Sequence, residues 1–216
     1  MISTNTKYRI TTSLILIFLI FLMIKSILFL TYMLIIFGIL SALEFNKITN
    51  KIFDKKLFKF ILNFLFIFYI SFFCFLFFFF SSFIQTKIIL YIIIFGCIAS
   101  DVGGFVVGRA LKGPKITKIS PNKTYAGFFG SLIFTILIVT LLIFLLNNIF
   151  SIYTLFISVI ISISCQIGDL FFSYLKRKAK IKDTGSFLPG HGGILDRIDG
   201  ILFSLPISFL SIILIY

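Results

Sequence analysis

The stretch FILNFLFIFYISFFCFLFFFFSSFI, residues 60–84, holds no Asp, Glu, Lys or Arg. An α-helix rises about 1.5 Å per residue, so about 20 apolar residues cross the hydrocarbon of a bilayer. A strand of a membrane barrel alternates lipid-facing and lumen-facing residues. This run does not alternate, and it reads as a transmembrane helix, although its length also admits two half-helices. Applied along the whole chain, the same reading places spans at 10–24, 27–43, 60–84, 88–108, 126–147, 152–172 and 198–216. The expected fold class is all-α, a polytopic transmembrane helix bundle of about seven spans.

Composition agrees. Of the 216 residues, 60% are hydrophobic and 12% charged, against about 25% charged in a soluble domain. The formal charge of +13 would suggest nucleic acid in a soluble protein. Here the bias of basic residues toward the cytoplasmic side of membranes accounts for it, and no nucleic-acid partner is expected. With the N-terminus cytoplasmic, basic residues cluster inside at 7–9, 47–59, 109–123 and 176–197. Only Lys25 and Lys87 fall outside. The segment TNTKYRITTSLILIFLIFLMIK (4–25) resembles a signal peptide but lacks a small-residue cleavage site. It reads as an uncleaved first span. Cys74, Cys97 and Cys165 have no metal-like spacing and read as small apolar side chains. The chain is expected to form one integral membrane domain, 1–216. Its N-terminal spans cover 1–100, and a catalytic half, 101–216, carries loops 109–125 and 173–197.

Seven acids are present: Glu44, Asp54, Asp101, Asp169, Asp183, Asp196 and Asp199. Glu44 and Asp54 border a basic loop and read as solvated. Asp101 and Asp169 fall inside spans, where a carboxylate is costly and faces the bundle interior or a watery cavity. A structural ion pair with a neighbouring helix is the alternative for each. On a helix, Asp169, Ser173 and Lys176 or Arg177 share one face. A deep carboxylate below shallower cations suits a metal ion beneath a phosphate, although cations snorkelling at a helix end give the same pattern. Asp196 and Asp199 open the last span at a spacing that also fits acids in a first helical turn. Gly192-Gly193 before them can bring backbone N–H groups close to an anion, with His191 beside them to contact a ligand. In the middle loop, ISPNKTYAGFFG (119–130), Lys123 and Thr124 offer a cation and a hydroxyl to phosphate. Gly127 and Gly130 permit close packing. Gly104 and Gly108 form a GxxxG pair, which reads as helix packing.

The stretch SYLKRKAKIKDTGSFLPGHGGILDRID, residues 173–199, resembles the signature of phosphatidate cytidylyltransferases (CDP-diacylglycerol synthases). That pattern specifies Ser173, Lys176, Arg177, Lys182, Asp183, His191, Gly192, Gly193, Asp196, Arg197 and Asp199, with apolar, small and Pro positions between, and every one is met. QIGDLFFS (166–173), SPNKTYAG (120–127) and, less closely, DVGGFVVGR (101–109) are also similar to family sequences. The likeness covers about half the chain, from 101 onward. Ala126 departs from it, since many members carry Glu there, and Val102 stands where a hydroxyl residue is usual.

The resemblance implies transfer of the cytidylyl group from CTP to phosphatidate, with Mg²⁺ and with room for a second metal ion. It implies that Asp169 and Asp196 hold the ion, with Asp199 as a third ligand or an orienting group. Lys176, Arg177, Lys182 and Arg197 would neutralise phosphates. Ser173 would contact metal or phosphate, and Lys123 and Thr124 would hold the triphosphate or headgroup. CTP, phosphatidate and membrane lipids are the implied partners, a homodimer is compatible, and a plasma-membrane location with a cytoplasmic active site is expected. Two rivals stand beside this reading: a CTP-dependent kinase of a polyprenol- or phytol-type alcohol, and a transporter of a phosphate compound, which the absence of an internal repeat disfavours.

Overall fold

The computed structural model of the chain describes residues 4–117, 120, 123–148, 150–187 and 192–215. Among them lie seven helices: α1 Thr4–Lys25, α2 Ile27–Ile52, α3 Lys56–Ser82, α4 Ile84–Leu111, α5 Tyr125–Asn147, α6 Ile152–Lys178 and α7 Leu195–Ile215. No strand occurs among the described residues, and α2 to α7 are each long and apolar enough to cross a membrane. The protein is an all-helical, polytopic membrane protein. In α1 the apolar part, Leu14–Lys25, is shorter than the other six. Of the run at 60–84, residues 60–82 lie in one unbroken helix, α3, not in two halves; α3 ends at Ser82 and Ile84 already opens α4. Phe60, Phe64, Phe68 and Phe75 are exposed on its surface, as side chains that meet only lipid would be.

Helices outrun the expected spans. α2 continues nine residues past the expected end at 43, to Ile52, and α6 continues from 172 to Lys178. Apolarity measures the depth of hydrocarbon, whereas a helix ends where its backbone is capped. At the start of α2 the Ser26 hydroxyl accepts from the Phe29 N–H, and α5 starts at Thr124, whose hydroxyl accepts from the Gly127 N–H. At the end of α5, Asn148 turns into the left-handed region at φ 53° and its N–H returns to the Phe144 carbonyl.

The chain divides into two compact units that alternate along the sequence. The first comprises Met1–Phe83 and Leu175–Ile198. Within it α2 packs on α1 and α3, and Phe45 stacks on Phe66 with ring centroids 3.9 Å apart. Thr49, Asn46 and Asn63 join α2 to α3 by hydrogen bonds of 3.0–3.1 Å. The second unit comprises Ile84–Tyr174 and Asp199–Tyr216. Here α4 and α5 approach so closely that a Cβ added to Gly103 would lie 2.6 Å from the Gly130 carbonyl oxygen and 2.6 Å from Phe134 Cβ. Gly104, Gly108 and Gly127 serve the same contact, so the expected packing role of these glycines holds. Without a hydrophobic drive between helices in lipid, small residues and interhelical hydrogen bonds hold the interface. The Ser131 hydroxyl donates to the Ser100 carbonyl at 2.7 Å, and the Ser100 and Ser162 hydroxyls meet at 3.3 Å.

Gly103→Ala is expected to lower the stability of the protein in detergent by about 1–3 kcal/mol, the usual cost of overpacking. Gly113→Ala, whose new Cβ would meet its nearest atom at 3.9 Å, should change it by less than about 0.5 kcal/mol. Thermal unfolding of the two variants side by side checks both.

Candidate functional site

Each unit contains a polar cluster. In the second unit a short antiparallel bridge positions Lys123. The Ile116 N–H donates to the Lys123 carbonyl at 3.0 Å, and the Tyr125 N–H donates to the Pro114 carbonyl at 3.1 Å. The Lys123 ammonium then donates to Asp169 Oδ2 on α6 at 3.1 Å. Both side chains are about one-quarter exposed, 28% and 25%. They line a cavity of about 140 Å³ together with Asp101 and Ser100 of α4, Gln166 of α6 and Thr124. Two carboxyl groups and one ammonium thus meet in this cavity. Its remaining donors are amide and hydroxyl oxygens. Mg²⁺ takes oxygen ligands, needs only one or two carboxylates and keeps several waters. The donor set therefore fits such an ion. No group of three or more His, Cys, Asp or Glu side chains suited to a metal occurs among the described residues.

In the first unit the cluster surrounds Asp196, in the first turn of α7. Its Oδ1 accepts from the Lys176 ammonium, at the end of α6, at 2.7 Å. Its Oδ2 accepts from the Thr184 N–H at 2.8 Å, and the Gly193 N–H and Thr184 hydroxyl lie 3.1 Å away. The side chains of Lys176 and Asp196 are only 14% and 8% exposed, so this pair is largely removed from water. Gly192 makes the turn into the helix at φ +85°, a conformation that strains any residue with a Cβ. Beside this cluster lies Glu44 of α2, with no exposed surface. Its carboxylate accepts from the Thr184 hydroxyl at 2.8 Å, the Ile194 N–H at 3.0 Å and the Leu195 N–H at 2.9 Å.

Glu44 corrects the expectation of a solvated acid: α2 does not stop at 43, and its extension carries Glu44 inward with Ser41, Phe45 and Ile48. Asp54 is exposed, as expected. The expected site residues distribute between the clusters. Lys123, Thr124 and Asp169 line the cavity of the second unit, the Thr124 hydroxyl also capping α5. Lys176, Asp196 and Gly193 come together in the first. Ser173 is half-buried on α6. Arg177, Lys182 and Arg197 are exposed cations of the first unit. Asp199, in the second unit, accepts from the Gly200 N–H at 3.0 Å. His191 lies outside the described residues. Asp101, expected to face the bundle interior or a watery cavity, lines the cavity with Asp169.

The sequence profile of the cytidylyltransferase family matches residues 2–215. Phosphatidate cytidylyltransferase of Rickettsia bellii is 41% identical over 128 residues, 55% of this chain and 55% of that protein. The enzyme of that name from Bacillus subtilis is 40% identical over 122 residues, 54% of this chain and 45% of its own. That from Mycobacterium leprae is 40% identical over 131 residues, 58% and 41% of the two chains. The chain thus spans about half the length of the curated relatives it matches.

Removing one partner of a largely buried ion pair leaves a charge uncompensated, at a cost of about 3–5 kcal/mol. Lys176→Met should destabilise the protein by that order. Lys182→Met, at an exposed position, should change stability by less than about 0.5 kcal/mol. Chemical denaturation in mixed micelles checks the contrast.

Proposed function

The chain belongs to the cytidylyltransferase family, and we propose that it transfers the cytidylyl group of CTP to phosphatidate, giving CDP-diacylglycerol and pyrophosphate. A phosphate oxygen of phosphatidate attacks the α-phosphorus of CTP, and the bond to pyrophosphate breaks. The nucleophile is already an anion, so no general base is needed. Both reactants are polyanions, and the obstacle is their repulsion. Positioning and charge neutralisation are most of what a protein can add to such a transfer.

The observation that carries this reading is the cavity where Asp101, Asp169 and Lys123 converge from α4, α6 and the segment before α5. Asp169 and Asp196 are the proposed carboxylates for Mg²⁺, joined by Asp101 and with Asp199 in support. When bound, the ion would offset negative charge on the phosphates and orient them. Lys123 and Lys176 each hold an aspartate with a flexible arm (3.1 and 2.7 Å). Such an arm can turn to a phosphate when an ion takes over the carboxylate. Arg177, Lys182 and Arg197 gather the anions from the exposed side, and Ser173, His191 and Gly192 are further substrate contacts. A groove of about 750 Å³ in the first unit, lined by Leu34, Ile39, Leu43, Phe60 and Ile67 with Asn46 and Asn63, suits an acyl chain with a polar end. The reaction belongs on the cytoplasmic face of the plasma membrane, where CTP is found and where the basic loops are expected.

Purified protein, CTP labelled in cytidine, Mg²⁺ and phosphatidate should give cytidine-labelled lipid. Asp169→Asn and Asp101→Asn should each reduce the rate by about 100-fold or more, the scale for losing one preorganised charge-stabilising group. EDTA should abolish turnover. Label that enters lipid only from the terminal phosphate of CTP would replace this reading with a kinase.

A further inference from the structure

Glu44 belongs to none of the motifs above and lies outside the half of the chain that resembles the family signature. It is nevertheless the most completely buried acid among the described residues, with no exposed surface. Its neighbours Phe45, Ile48, Ile194 and Leu195 are buried and apolar. Its partners are not lysines but fixed groups of one short segment. Oε1 accepts from the Ile194 N–H, and Oε2 accepts from the Leu195 N–H and the Thr184 hydroxyl, all at 2.8–3.0 Å. Leu195 is the first residue of α7. The first amides of a helix have no intrahelical acceptor, and a negative charge there is favoured by the helix dipole. Glu44 therefore caps α7 from another helix.

Two glycines clear the space for it. A Cβ at Gly193 would lie 2.5 Å from Glu44 Oε2 and 2.7 Å from Oε1, and one at Gly185 would lie 2.9 Å from Glu44 Cδ. Both are signature positions, small at 185 and glycine at 193. In this structure the Gly193 N–H goes to Asp196 and its open side goes to Glu44. The contacts run on in series. Glu44 holds Thr184, the Thr184 N–H holds Asp196 Oδ2 at 2.8 Å, and Asp196 Oδ1 holds Lys176.

We propose that Glu44 is a positioning residue for the transfer reaction: from α2 it fixes Thr184, Ile194 and Leu195 so that Asp196 and Lys176 stand in the geometry the reaction needs. This rests on the functional reading above. Glu44 touches no substrate, being enclosed, so its loss acts on turnover and not on CTP affinity. A misplacement of about 1 Å can cost about 100-fold in rate.

The test measures amide exchange and steady-state kinetics on the full-length protein in lipid nanodiscs. Glu44→Gln keeps the size but turns one acceptor into a donor facing an N–H. Amide exchange at Ile194 and Leu195 should accelerate, and kcat should fall about 100-fold. KM for CTP should move less than about threefold. Glu44→Asp, which keeps the charge, should lose less than Glu44→Gln. If Glu44→Gln does not fold, Thr184→Val removes only the hydroxyl link, and a fall in kcat of about tenfold at steady KM is expected. Wild-type kcat in variants whose segment exchanges faster would overturn the proposal, as would unchanged exchange at Ile194 and Leu195. A wild-type protein that makes no cytidine-labelled lipid, while Glu44→Gln still loosens the segment, would instead overturn the reaction and leave the anchor standing.

Discussion

An ionised carboxylate enclosed by apolar helices must be met by donors, because the alternative is an uncompensated charge away from water. Three acids of this protein meet that demand in different ways. Glu44 is met by two backbone amides and a hydroxyl. Asp196 is met by amides on one oxygen and a lysine on the other. Asp169 is met by a lysine. The difference is functional. Amides at a helix start cannot leave without unravelling the turn, so Glu44 is committed for as long as the segment is folded. A lysine ammonium is a point charge on a flexible four-carbon stem, and it can exchange one anion for another. Asp169 and Asp196, proposed as the main carboxylates of the reaction, each have a lysine partner, whereas Glu44, assigned a positioning role, is held by backbone amides and a hydroxyl without one.

Space follows the same division. Close approach in this protein depends on missing Cβ atoms. Between α4 and α5, Gly103 and Gly130 let backbone meet side chain at distances no other residue allows. Around Glu44, Gly185 and Gly193 do the same for a carboxylate. Gly192 alone, among the described glycines, needs its backbone freedom, at φ +85°. A glycine-rich loop in a phosphate-handling protein invites reading as an anion cradle. At Gly193 the anions already present are the protein's own, Glu44 and Asp196.

The spans were legible because twenty apolar residues have few other uses; composition left one helix or two open for the run at 60–84, and residues 60–82 form one. Helix ends were less legible. Hydrophobicity falls where lipid ends, but α2 continues to Ile52 and α6 to Lys178. Glu44 lies past the apolar run, on that extension of α2. An acid at the edge of a basic segment looks solvated, yet residues 41, 44, 45 and 48 are all buried and recur at the spacing of one helical face. That periodicity, rather than the neighbouring charge, is the sequence signal of its burial. Asp101 is less legible: the likeness to family sequences around it is weaker, and nothing local says that it shares a cavity with Asp169. The Lys123–Asp169 pair spans 46 residues of sequence and the Glu44–Leu195 bond spans 151. Contacts that distant leave no local trace.

Among the described residues of the 173–199 stretch, two groups stand out that a linear pattern cannot distinguish. Lys176, Gly193 and Asp196 are spent on one another and on Thr184. Arg177, Lys182 and Arg197 are exposed. The first group makes a small, largely desolvated arrangement, in which a change of partner by one charge has a large electrostatic effect. The second sits in water, where charges are screened and act mainly by raising the local concentration of anions. A reaction between two polyanions needs both actions. It needs diffuse attraction to bring the reactants to the membrane edge, and strong local charge where their phosphates must touch. A cluster that was wholly exposed would supply only the first, and one wholly enclosed would admit neither reactant. The mixture of enclosed and exposed charge within one short stretch is what the proposed chemistry requires.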